Sequence, residues 1–155
     1  MTTTILLICH GLIAIGLLGA ITHQAISVGL PARRPAASFV GRLRAVASPG
    51  YVGAVVILYL SAAIFGGIIY PEYRLQVSMT LEQMGLRSQS GVFELKEHFV
   101  AVGLGLLPAY WFAWHQPLDP RYAIMRAALT MMLAFIVWWS FLVGHILNNI
   151  RGFGG

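Results

Sequence analysis

The chain has 155 residues, of which 58% are hydrophobic and only 10% charged, with a net charge of +5 and a mean hydropathy of +0.77. A soluble domain carries roughly a quarter charged residues, so the composition excludes an ordinary water-soluble fold. The charge is too sparse, and the apolar surface too large, for a nucleic-acid-binding protein.

Four apolar runs are each near the length of about 20 residues that a membrane-spanning helix needs. They cover 5–28, 51–70, 98–114 and 122–147. No alternating strand pattern is present, so a membrane β-barrel is not indicated, and helices remain as the way to satisfy backbone groups in lipid. The expectation is an all-α polytopic membrane protein. It is a single domain over 1–155, a four-transmembrane-helix bundle with a long, partly helical loop between helices two and three.

The first run has no basic segment before it, since Met1-Thr2-Thr3-Thr4 carries no side-chain charge. It is also long for a signal-peptide core, so it reads as a mature helix. The next segment, Leu30 to Gly50, holds Arg33, Arg34, Arg42 and Arg44, broken by Pro31, Pro35 and Pro49. Charge of this kind orients helices in membranes. With four spans, this loop shares a side with Arg121 and Arg126, giving six Lys/Arg against four on the other side (Arg74, Arg87, Lys96, Arg151). The bias points to a bacterial inner membrane with both termini periplasmic.

The second run ends at Tyr70-Pro71-Glu72-Tyr73-Arg74, and the third is preceded by Phe93-Glu94-Leu95-Lys96-Glu97. Between these, Leu75, Met79, Leu81 and Met84 fit one face of a short interfacial helix, which Gly85 would end. Gly16, Gly19, Gly66, Gly67, Gly103 and Gly105 permit close helix approach, or the approach of a flat cofactor. Trp111, Phe112, Trp138 and Trp139 add aromatic mass to the last two helices, as packing or as pocket lining. Arg126, one turn into the fourth run, is expected to snorkel to the surface. The single cysteine, Cys9, excludes an intrachain disulfide.

Five histidines stand near the ends of these runs, where an ionisable group needs a partner and marks a candidate site. Alternating spans bring His10, His98 and His145 to one membrane face and His23 and His115 to the other. Histidine ligates metals and haem iron. His10 and His23 lie 13 residues apart, about 20 Å along a helix. The layout resembles four-helix membrane cytochromes b in architecture, although no stretch matches such a family by sequence. That resemblance implies one or two haem b groups with histidines as axial ligands. Against two haems, His10 and His23 are roughly 140° apart around the helix, and His98 and His115 roughly 100°.

On the first face, Tyr73, Arg74 and Lys96 are placed to hold haem propionates. A divalent metal would instead draw on Glu94 or Glu97 with the histidines. A third arrangement is a salt-bridged cap, with Arg74 pairing Glu94 or Glu97. No P-loop, GxGxxG, HExxH, CxxC or CxxCH occurs. The leading expectation is therefore membrane electron transfer: a b-type cytochrome, or the haem-bearing membrane subunit of a respiratory complex, exchanging electrons with quinone or a partner redox protein. The alternatives are a cofactor-free accessory or assembly subunit of a membrane complex and a small metal or proton transporter. The expected surroundings are the lipid bilayer and partner subunits.

Overall fold

The computed structural model describes residues 2–29, 48–85, 87–116 and 119–153. Most of the basic inter-helix segment, 30–47, lies outside the described residues. Those described are all-helical, with no strand among them. Among the described residues are four long helices, α1 (Thr2–Gly29), α2 (Val52–Tyr73), α4 (Arg87–His115) and α5 (Ala123–Phe153), and one five-residue α-helix, α3 (Met79–Gln83). Three stretches are long and apolar enough to cross a membrane: Thr3–Gly29, Ser48–Tyr73 and Pro120–Leu147. Helix α4 is as long as these, but its first turns carry Glu94, Lys96 and Glu97, which dilute its apolar character.

The long helices run up and down. Gly16 of α1 faces Leu58 of α2, while Gly66 of α2 faces His10 of α1, so the pair is antiparallel. Phe99 of α4 packs edge-on against Phe135 and Trp139 of α5. Helix α1 lies between α2 and α5, and α5 lies between α1 and α4. The core is drawn from all four, with Ile21, Val55, Tyr110 and Leu133 wholly buried. The outward faces are apolar as well: Leu12 is 65% exposed and Ile57 64%. In water such a surface would be an aggregation hazard, whereas in hydrocarbon it is the solvated surface.

The segment between the second and third apolar runs is more ordered than its sequence implies. Helix α2 continues through Pro71 to Tyr73. A π-helical turn (Arg74–Ser78) follows just after this proline. Proline removes one backbone donor and crowds the preceding turn, and wide turns are one way to relieve such a break. Helix α3 then ends at Gly85, whose φ of 77° is the left-handed conformation that glycine adopts without strain. The expected short helix and its glycine stop are therefore both present. Leu75, Met79 and Met84 remain exposed, as an interfacial helix requires. The third run differs from expectation, since α4 begins at Arg87 rather than at His98, about three turns earlier. A Ser78–Ser90 hydroxyl contact of 2.9 Å and the stacking of Tyr73 on Phe93 tie these added turns to the π-turn and α2.

Candidate functional site

Both ends of the bundle hold buried polar groups. At the end where α1 finishes, several buried polar side chains are hydrogen-bonded. Tyr110 donates to the Gln24 side-chain oxygen, and both residues are wholly buried. Gln24 Nε2 donates to the Ser48 carbonyl at 2.9 Å, and Trp114 Nε1 donates to Thr130 Oγ1 at 3.1 Å. His23 is buried and stacks on Tyr51 with centroids 4.5 Å apart. Arg126 does not snorkel as expected. It is buried and donates to the Asp119 carbonyl at 3.2 Å. Asp119 caps the short turn before α5 and binds Arg121 through its backbone N–H and its guanidinium. These bonds hold the Asp119 carboxyl below its ordinary range.

At the end where α1 begins, the His10 ring packs against the bare backbone of Gly66, its Cε1 3.4 Å from where a glycine Cβ would stand. Its Nδ1 is buried and makes no hydrogen bond with any described residue. Tyr73 Oη, Trp139 Nε1 and Ser140 Oγ are likewise buried without a hydrogen bond, as is Nδ1 of His23 at the other end, whose ring stacks on Tyr51. Most buried polar atoms in proteins are paired, so a group of orphans requires an occupant or a role.

His10, Tyr73, Trp139 and Ser140 occupy the same third of the bundle. Tyr59 of α2 bonds the Val100 carbonyl of α4 at 3.1 Å, which brings the region around Gly66 level with Lys96 and Glu97. Phe99, one turn on, touches Trp139. Lys96 Nζ lies 2.7 Å from Glu97 and 4.0 Å over the Phe93 ring. The Lys96 side chain is only 14% exposed. An ion pair is the economical way to keep two ionised groups beside an apolar bundle, because each neutralises the other's field. Tyr73 stacks on Phe93 with centroids 3.7 Å apart and planes 16° from parallel.

The structure gathers part of the expected site. His10, Tyr73 and Lys96 share this end. Arg74 is there too but exposed; it donates to Tyr70 Oη at 3.0 Å, a bond that, with nearby Glu94, raises its already high pKa. The cap pairing expected of Arg74 with Glu94 or Glu97 does not form as an ion pair among the described residues, and Glu97 pairs with Lys96 instead. His98 is exposed, with Nδ1 2.8 Å from the Glu94 carbonyl of its own helix. His145 is exposed beside Phe141. At the other end, His115 is exposed, stacked on Trp111, with Nδ1 2.9 Å from the Trp111 carbonyl. Among the described residues no three His, Cys, Asp or Glu side chains come together as a metal group.

The orphaned Trp139 and Ser140 were not singled out as site residues from sequence. Trp139 registers there only as aromatic mass, and Ser140 as one hydroxyl in an apolar run. Their depth opposite Phe99 becomes visible only when α4 and α5 pack. No protein-family model, curated protein or solved structure matches this chain.

Proposed function

We propose that the chain is a membrane electron-transfer subunit, a bundle of four spans in a bacterial inner membrane with both termini periplasmic, whose redox ligand sits at the His10 end. The observation that carries this reading is the set of buried polar atoms without hydrogen bonds, His10 Nδ1, Tyr73 Oη, Trp139 Nε1 and Ser140 Oγ, in the same third of the bundle as the Lys96–Glu97 pair. Ionisable groups retained at such a depth are costly and are characteristic of functional positions. Haem b is one ligand that this reading admits. His10 would supply one imidazole. His98, with Nδ1 on its own helix carbonyl, keeps Nε2 for iron, in the manner of metal-bound histidines. Tyr73, Arg74 and Lys96 would serve the propionates.

The test compares membranes from cells with and without the chain. Loss of the chain should slow electron flow from at least one respiratory donor, and reduced-minus-oxidised spectra of the purified protein report whether haem b is present. Unchanged flow from every donor would overturn the reading.

A second reading, an accessory subunit without a cofactor of its own, is favoured by the local engagement of four histidines. His23 stacks on Tyr51, His115 on Trp111 and His145 on Phe141, while His98 bonds its own helix. Under that reading, deletion dissociates a membrane complex on native gels while donor rates through the assembled remainder are kept.

A further inference from the structure

We propose that the groove between α1 and α5, at the end where α1 finishes, holds one acyl chain of an anionic phospholipid. The inference needs only that the bundle lies in a bilayer and is independent of electron transfer.

The groove is an open trough of about 470 Å³. Thr22, Ala25 and Gly29 of α1 form one wall, and Met131, Phe135 and Trp138 of α5 the other. At its deep end Trp138 Nε1 donates to Thr22 Oγ1 at 2.9 Å. The hydrogen-bonding side chains of the two walls thus satisfy each other. What remains is methyl groups, aromatic rings and the thioether of Met131, which adapts to an irregular apolar guest. The trough exists because α1 presents small residues here. Ala25 stops at Cβ, and no atom stands within 4 Å of a Cβ position on Gly29.

The dimensions select the occupant. Sites for small apolar ligands enclose about 300–1,000 Å³, and this groove lies in that range. From Thr22 to Gly29 it runs about 10 Å along the helix axis. One leaflet of hydrocarbon is about 15 Å deep, half of a core of about 30 Å. A trough confined to one leaflet suits a flexible acyl chain. A partner's transmembrane helix, about 10 Å in diameter, would call for a seam running most of the length of the bundle.

The charge selects the headgroup. Arg33, Arg34, Arg42 and Arg44 follow Gly29 in the sequence, and Arg121 and Arg126 precede Met131. The one acid in these two stretches is Asp119, which Arg121 already binds. The other four Lys/Arg are offset by Glu72, Glu82, Glu94 and Glu97. The whole net charge of +5 therefore belongs to the two stretches that adjoin the shallow end of this groove. Basic sequence beside a membrane helix attracts anionic headgroups, and a lipid whose chain enters between Gly29 and Met131 has its headgroup at that end.

The experiment uses the full chain in mild detergent, titrated with phosphatidylglycerol and with phosphatidylcholine of the same acyl chains. Native mass spectrometry counts the lipids retained. One phosphatidylglycerol should be held, in preference to phosphatidylcholine by about fivefold or more. Phosphatidylglycerol brominated along its acyl chain should quench tryptophan fluorescence. Trp138→Phe should remove more of that quenching than Trp111→Phe, although Trp111 is about as exposed. Ala25→Leu and Gly29→Leu fill the trough and should weaken retention about fivefold or more. Gly67→Leu, on the outward face of α2 beside Ile64 and Ile68, should leave it unchanged. Equal retention of the two lipids overturns the proposal, as does quenching removed equally by the two tryptophan substitutions. Full retention in both trough-filling variants, at parent helicity by circular dichroism, overturns it too. If those variants do not fold, the headgroup preference and the quenching comparison decide it.

Discussion

Tyr59 occupies the space over Gly103, its hydroxyl donating to the Val100 carbonyl of the same facing helix at 3.1 Å. A methyl group on residue 103 would overlap the Tyr59 hydroxyl and ring edge. The two residues fix both the spacing and the register of α2 against α4, and thereby the level of Gly66 relative to the Lys96–Glu97 pair. Gly103→Ala should destabilise the bundle by about 1–3 kcal/mol, the usual cost of overpacking. Tyr59→Leu should restore much of that loss in the double variant while costing stability alone. Detergent-phase thermal unfolding of the four proteins measures this cycle. Additive losses would mean that the two residues do not meet.

The Tyr110–Gln24 contact joins α4 to α1 across the core, and neither residue is exposed. Tyr110→Phe removes the donor and leaves the Gln24 oxygen buried without it. Interhelical hydrogen bonds in membranes average about 0.6 kcal/mol and reach about 1.7. With both partners sealed from solvent, a coupling near the upper figure is expected from the Tyr110→Phe/Gln24→Leu cycle. A coupling indistinguishable from zero would show that this bond is replaced by other partners.

Asp119 contributes a pH dependence. Its folded pKa is lowered by Arg121, through side chain and backbone, and then by Arg126. A carboxylate with a depressed folded pKa stabilises the fold at pH above its unfolded value, about 3.9. That contribution is lost as the pH falls through the lower folded value. Asp119→Asn should therefore be less stable than the parent at neutral pH, and the difference should shrink below about pH 4. A difference constant from neutral to strongly acidic pH would place its origin outside this carboxylate.

The proposed four-span arrangement makes a topological prediction. Reporter fusions at Ser38 and Asp119 should report the cytoplasmic side, and fusions at Met84 and Gly155 the periplasmic side. Met84 and Asp119 on the same side would remove α4 from the set of spans.

The exposed histidines should be dispensable for stability. His98→Ala and His115→Ala each remove a ring whose described bond is to its own helix. Each should change stability by no more than about 0.5 kcal/mol, as for a typical surface substitution. Larger losses would reveal a partner for these rings.

The amino-acid sequence alone determined the membrane class, the helical content and the glycine stop at Gly85. Apolar run length and the need to satisfy backbone groups in lipid are local properties, and a left-handed residue after a short helix calls for glycine whatever surrounds it. It also marked His10, Tyr73 and Lys96 as residues of one end, since alternating spans assign ends without reference to packing. Tertiary structure decided the rest. The start of α4 at Arg87 depends on Ser90 and Phe93 finding Ser78 and Tyr73 across the turn, a long-range pairing with no periodic signature. The separation of His10 from His98 and His145 depends on helix rotation about its axis, which apolar periodicity cannot fix when a helix is hydrophobic on every side. Whether a buried donor such as Trp139 Nε1 is satisfied or orphaned depends on atoms from other helices.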